Sequence, residues 1–286
     1  MLKKLHFKRK VMNNLKLKCK TYAKCRAPFA WVGGKSRLAK DIIALMPEYK
    51  TYAEVFGGAL SVFYQKSPSK LEVINDINSD LINLHRIIKS RPISLQIELN
   101  NMLRSREIFE LIKNKAIKPR NNVQKAAFYY YLISLSFGAK TNNFAMSKGA
   151  RSPKNIYKSF EIYSKRLKMA VIENLSYEKF IKEYDGVDTL FYLDPPYYVK
   201  GKGLYLNYYN DTDHQNIANT ISEIANCKWI VSYDNVPFIT SLYSKYRQQC
   251  FELNYSASNS GKGKEIMVFC DGIVIPKHKL FNHSTK

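Results

Sequence analysis

Between residues 51 and 270 the chain alternates short apolar runs with amphipathic segments. TYAEVF (51–56) precedes GGALSVFYQK, and KLEVIND (70–76) precedes INSDLINLHRIIKS. Further strand-like runs are KMAVIEN (168–174), DTLFYLD (188–194), CKWIVSYD (227–234) and KEIMVFC (264–270). Helical patterns fall at 177–184, 213–225 and 237–245. Strands alternating with helices predict an α/β fold around a largely parallel, doubly wound sheet. Such a sheet binds its ligand at the carboxyl ends of its strands, so the residues that follow each apolar run carry most information.

The stretch 91–164 breaks this rhythm. It offers helical patterns near 95–115 and 122–136, then SFGAKTNNFAMSKGARSPKN, which has almost no aliphatic residues. It reads as an insertion that builds a second, smaller domain. Residues 1–26 hold ten Lys or Arg and no acid, an arm that is either solvated or grips DNA. Residues 276–286 form a polar tail.

Charge narrows the partner. Lys and Arg number 46 against 23 Asp and Glu, a net +23, with 13% aromatics. This suits a polyanion such as nucleic acid, although lysine-rich codon usage would give the same count. The five cysteines form no C-x-x-C pair, as expected of free thiols in a reducing compartment. No apolar run approaches the length of a membrane span, and none follows the basic start as a secretory signal requires. A soluble cytoplasmic protein without membrane contact is the expectation.

Candidate chemistry concentrates in LFYLDPPYY (190–198). An apolar strand delivers Asp194, Pro195, Pro196 and Tyr197 at its carboxyl end. Two prolines stiffen the turn and remove two N–H donors, leaving carbonyls to face the crevice. A carboxylate and a carbonyl together accept both N–H bonds of an amino group on a planar base, and Tyr197 offers a face for stacking. Accepting both bonds directs the amine's lone pair toward an electrophile, which is catalysis by positioning and electrostatics. Competing chemistries lack their marks. There is no H-x-E with P-C-x-x-C for a zinc deaminase, no Pro-Cys nucleophile and no G-x-S-x-G elbow. The histidines suggest no metal site, and His214 reads as a helix-start residue. PFAWVGGKSRL (28–38) ends like a phosphate loop, but Phe29 stands where that loop needs its first glycine.

These motifs, in order, resemble the alpha group of adenine-N6 DNA methyltransferases, the Dam-like enzymes. FAWVGGKSRL, AEVFGGALSVF, NDINSDLI (75–82), the insertion and DPPYY carry the likeness, which DHQNIANTI, WIVSYDN and KEIMVF continue over about 27–275. The resemblance implies a Rossmann-like methyltransferase sheet, with 27–90 and 165–275 forming the catalytic domain. Residues 91–164 then form a mainly helical target-recognition domain. It implies S-adenosylmethionine as methyl donor, no metal, and N6 of a flipped-out adenine in double-stranded DNA as acceptor. Cofactor contacts fall on Trp31, Lys35, Phe56, Gly57, Gly58, Asp76 and Asp194, with Lys35 facing the cofactor's carboxylate and Ser36 capping the following helix. Ser176 stands where the family commonly has an acid that contacts the cofactor adenine.

DNA contacts are expected from Lys140, Lys148, Arg151 and Lys154, and base reading from Asn142 and Asn143 unless that pair forms a turn. The chain is expected to act as a monomer or weak dimer, any cognate restriction endonuclease being separate. N4-cytosine methylation, RNA methylation and non-catalytic DNA binding are the rival readings.

Overall fold

The computed structural model describes residues 24–145, 155–199, 209–254 and 262–281. Seven strands form one sheet: β1 (Thr51–Glu54), β2 (Leu71–Asn75), β3 (Val171–Glu173), β4 (Thr189–Leu193), β5 (Lys228–Asp234), β6 (Arg247–Asn254) and β7 (Lys262–Phe269). Their order is β3-β2-β1-β4-β5-β7-β6. The first five strands in this order are parallel, while β7 runs antiparallel between β5 and β6. This is the Rossmann-like methyltransferase arrangement. The order reverses between β1 and β4, so a crevice opens where those two strands end.

Local sequence explains the elements. TLFYL of β4 is buried at every position, as a central parallel strand covered on both faces requires. RQQCFELN of β6 escaped the hydrophobic pattern because this edge strand is largely polar. The helices are α1 (Ala39–Ala44), α2 (Ser61–Gln65), α3 (Ser79–Ser90), α4 (Pro92–Asn100), α5 (Arg106–Lys113), α6 (Asn122–Leu135), α7 (Glu161–Leu167), α8 (Tyr177–Tyr184), α9 (Asp211–Ser222) and α10 (Pro237–Leu242). The single helical pattern near 95–115 is two helices, because Ser105 caps α5 by accepting the Ile108 N–H. Asn78 caps α3 and Asn121 caps α6 in the same way. Ser36 is no cap: its hydroxyl bonds to Ser61 at 3.1 Å, and α1 starts only at Ala39.

Leu95, Leu99, Phe109 and Tyr131 from the inserted helices join the same hydrophobic cluster as Tyr52, Val73 and Phe191 of the sheet. A buried ionic knot ties the far side of the insertion back to β2. Glu72 accepts from Lys66 at 2.5 Å and from Arg166 at 2.5 and 2.8 Å, while Arg166 also donates to the Phe63 carbonyl. Removing one partner would leave a buried charge uncompensated.

Candidate active site

The ends of β1, β2 and β4 meet around one cavity. It is lined by Trp31, Lys35, Phe56, Gly57, Gly58, Asp76, Asp194 and Pro196, eight of the residues marked in the sequence, and also by Lys140. Residues separated by more than 160 positions are thus brought together.

The glycines make room. At Gly57 a Cβ would lie 2.8 Å from the Asn75 carbonyl oxygen and 2.9 Å from Leu60. Gly58 has φ +50°, and a Cβ there would lie 2.7 Å from the Trp31 indole. Only glycine satisfies both the backbone and the close approach. The Gly58 N–H donates to Asp76 Oδ2 at 3.0 Å, and the other Asp76 oxygen accepts the Asn78 N–H at 2.9 Å. Asp76 therefore precedes the α3 cap and holds the glycine turn against the carboxyl end of β2. Behind it, buried His85 bonds through Nε2 to the Gly58 carbonyl at 2.8 Å. Burial pushes this imidazole down to about 4, so it is neutral and Nε2–H is the donor.

Asp194 stands one residue beyond β4, with its side chain 17% exposed. The Lys35 ammonium straddles its carboxylate, 2.7 Å from Oδ1 and 2.8 Å from Oδ2, with hydrogen-bond geometry to Oδ2. The same ammonium donates to the Gly33 carbonyl at 2.9 Å and lies 4.5 Å from the centre of the Tyr197 ring. Lys35, expected to face the cofactor's carboxylate, thus pairs with the Asp194 carboxylate. Both oxygens of Asp194 therefore lie beside the Lys35 ammonium, and the side chain keeps 17% of its surface exposed. Burial raises the Asp194 carboxyl to about 6; Lys35 opposes the rise and the Glu265 charge adds to it.

Tyr197, marked for stacking, is buried. Its hydroxyl donates to buried Glu265 at 2.8 Å, and its ring packs on Tyr233 beneath the Lys35 ammonium. Neither Tyr197 nor Pro195 lines the cavity; Tyr129, Tyr192 and Tyr209 do. Immediately downstream, the Tyr198 and Val199 N–H groups donate to the two oxygens of Asp234, at 2.9 and 2.7 Å. The carboxylate that ends β5 thereby clamps the chain leaving the double proline.

Glu54 also lines the cavity. Its Oε2 accepts from the Tyr52 hydroxyl at 2.7 Å and from the Phe63 N–H at 3.1 Å. Burial pushes its carboxyl up to about 8, and the nearby Asp194 charge contributes. The sequence did carry a signal for it, an acid closing an apolar strand. Tyr129, Tyr192 and Tyr209 had none, being spread over a helix, a strand and a helix approach.

Other marked residues have different places. Ser176 caps α8 by accepting the Lys179 N–H at 3.5 Å. His214 is buried inside α9 and bonds to the Tyr233 hydroxyl at 2.9 Å, packing helix on sheet. Asn142 and Asn143 lie in a turn closed by the Ser136–Phe144 bridge. There their carbonyls accept from Lys113 Nζ and the Phe137 N–H. Lys148, Arg151 and Lys154 fall outside the described residues. Among the described residues, no group of three His, Cys, Asp or Glu is placed to hold a metal, and no helix is long and apolar enough to cross a membrane.

Asp194 and the double proline stand where the strand order of the seven-stranded sheet reverses. Residues 31–257 match the family model of the D12 class N6 adenine-specific DNA methyltransferases, and the chain belongs to that family. It is 34% identical over 187 residues to the Type II methyltransferase M1.LlaDCHI of Lactococcus lactis subsp. cremoris, a match covering 59% of this chain and 65% of that protein. The Type II methyltransferase M.CviBI of Paramecium bursaria Chlorella virus NC1A is 24% identical over 249 residues, covering 79% and 89%. The DNA adenine methylase of Escherichia coli K12 is 27% identical over 185 residues, covering 61% and 66%. The matched stretch thus spans about two thirds of the length of the first and third of these relatives.

Proposed function

We propose that this chain is a site-specific DNA methyltransferase that transfers a methyl group from S-adenosylmethionine to N6 of a flipped-out adenine in double-stranded DNA. The observation that carries the reading is the carboxylate of Asp194 at the end of β4, in the cavity that the Gly57–Gly58 turn and Asp76 also line. The residues fit the cofactor. The turn is a cradle that a Cβ would fill, and Asp76 at the end of β2 suits a ribose diol. When bound, S-adenosylmethionine supplies a methyl group on a positively charged sulfur.

The protein's own part is positional. Asp194 and a proline carbonyl accept the two N–H bonds of the adenine amine, which turns its lone pair toward the methyl group. Asp194 must be ionised for this, and Lys35 favours that form. Asp234 holds the turn in place through the Tyr198 and Val199 amides. Extruding the base costs a few kcal/mol, and the aromatic side chains of the cavity wall offer surfaces that recover part of it. Residues 91–164 serve in this reading as the target-recognition segment, with Lys140 reaching the cavity wall. The chain acts alone, as a DNA-associated cytoplasmic enzyme, and any cognate endonuclease is a separate protein.

The test is incubation with labelled S-adenosylmethionine and, in parallel, genomic DNA from a methylation-deficient host or total RNA, followed by digestion to nucleosides. N6-methyladenosine of the deoxy series is expected. Label in N4-methylcytosine, or only in RNA, overturns the adenine reading, and no incorporation indicates a non-catalytic binder.

A further inference from the structure

We infer that a basic groove beside the catalytic cavity holds the phosphate backbone of duplex DNA flanking the target base, a second contact surface outside the inserted segment. This inference rests on the DNA reading proposed above.

The groove encloses about 1010 Å³ and is lined by Lys24, Arg26, Arg37 and Lys40, together with Ser36 and Gln65. All four cationic residues are exposed, and no acid is among the described residues that line it. Lys24, Arg26 and Lys40 make no salt bridge among the described residues. Two short pieces of chain supply the charges. Residues 24–26 run beside α2, where the Cys25 N–H donates to the Tyr64 carbonyl at 3.2 Å. Cys25 is half-buried there while Lys24 and Arg26 are exposed. Arg37 and Lys40 lie three apart on the turn into α1, a spacing that puts them on one side.

Lys24, Arg26 and Lys40 carry like charges around one concavity, and an anion placed among them relieves their repulsion. The anion must be extended and fully ionised to meet cations from two segments, which a sugar–phosphate backbone is. The placement gives the contact a purpose. The turn that presents Ser36 and Arg37 to the groove is the one that presents Trp31 and Lys35 to the catalytic cavity. Gln65 fastens the two sides, donating to the carbonyls of Ser36 and Ser61 at 3.1 and 3.2 Å, and Ser61 lines the cavity. Phosphates seated here lie next to the Asp194 site and hold the duplex while the base leaves the stack.

The experiment measures binding of a fluorescent duplex oligonucleotide to the full chain by anisotropy across a salt series. Two double variants, Arg37→Gln with Lys40→Gln and Lys24→Gln with Arg26→Gln, are compared with the unaltered chain. Each lost phosphate contact reduces the slope of log K against log salt by about 0.9. We expect each pair to flatten the slope by about 1 to 2, with unchanged affinity for S-adenosylmethionine. Unaltered slopes in both pairs, or a loss of cofactor affinity without a slope change, overturn the groove assignment and leave DNA methylation standing. If the unaltered chain itself binds duplex DNA without salt dependence, the phosphate reading fails at its root.

Discussion

At the scale of single residues, the site is governed by carboxyl groups that burial keeps from ionising easily. Asp194 is raised to about 6 from an ordinary carboxylate value, and the proposed transfer needs its ionised form. The free-enzyme rate, kcat/KM, should therefore climb with pH through an inflection near 6 and level off above it, falling about tenfold per unit below. Lys35→Gln removes the charge that pulls this value down, so its inflection should move to higher pH. A pH–rate profile of both proteins checks this, and an unmoved inflection would remove Lys35 from the electrostatics.

Glu54 makes a different prediction. Its folded value, about 8, lies above its unfolded value. The folded state therefore binds the proton more tightly, and stability is lost as pH rises from about 4.5 through about 8. Glu54→Gln keeps the shape and the acceptor for Tyr52 without the charge. It should stabilise the protein by on the order of a few kcal/mol at pH 9 and by little at pH 5. Denaturant titrations at the two pH values test it; an equal effect at both would rule out charge burial.

At the scale of elements, strand ends do the positioning. β4 delivers Asp194, β2 is followed by Asp76, and β5 ends in Asp234, whose two oxygens hold successive amides just after the double proline. Asp234→Asn replaces one acceptor with a donor that meets an N–H. The turn should shift, lowering kcat by roughly 10- to 100-fold while KM for S-adenosylmethionine changes little. Steady-state kinetics separates the two, and a rise in KM alone would assign Asp234 to cofactor binding instead.

Much of this level was legible beforehand. Largely apolar runs marked β4 and β5, and the spacing over 177–184 read as the helix that Tyr177–Tyr184 forms; that Ser176 caps it was not read beforehand. β6 was not legible, since its polar residues satisfy no period. Its membership rests on backbone pairing with β7, which no local pattern records.

At the scale of the whole molecule, a +23 chain places its acceptor carboxylate in a cavity and its cations around it. Asp194→Ala should lower methyl transfer by at least about 10³-fold yet leave salt-sensitive DNA binding nearly intact, because phosphate contacts carry most of the affinity. Parallel transfer and anisotropy assays distinguish this from misfolding, which would abolish both.

What the sequence by itself determined was the parts and their order: the alternation that builds the sheet, the glycines that permit close approach, and the acid and prolines at a strand end. Those features are local, since each depends on neighbouring residues along the chain. What tertiary structure decided was which partner each group has. Lys35 faces Asp194 across 159 positions, Tyr197 turns inward to Glu265, and His85 supports Gly58. These pairings depend on the reversal of strand order at β1 and β4 and on the low-polarity interior around it. That interior makes every buried carboxyl seek a donor, wherever in the chain that donor lies.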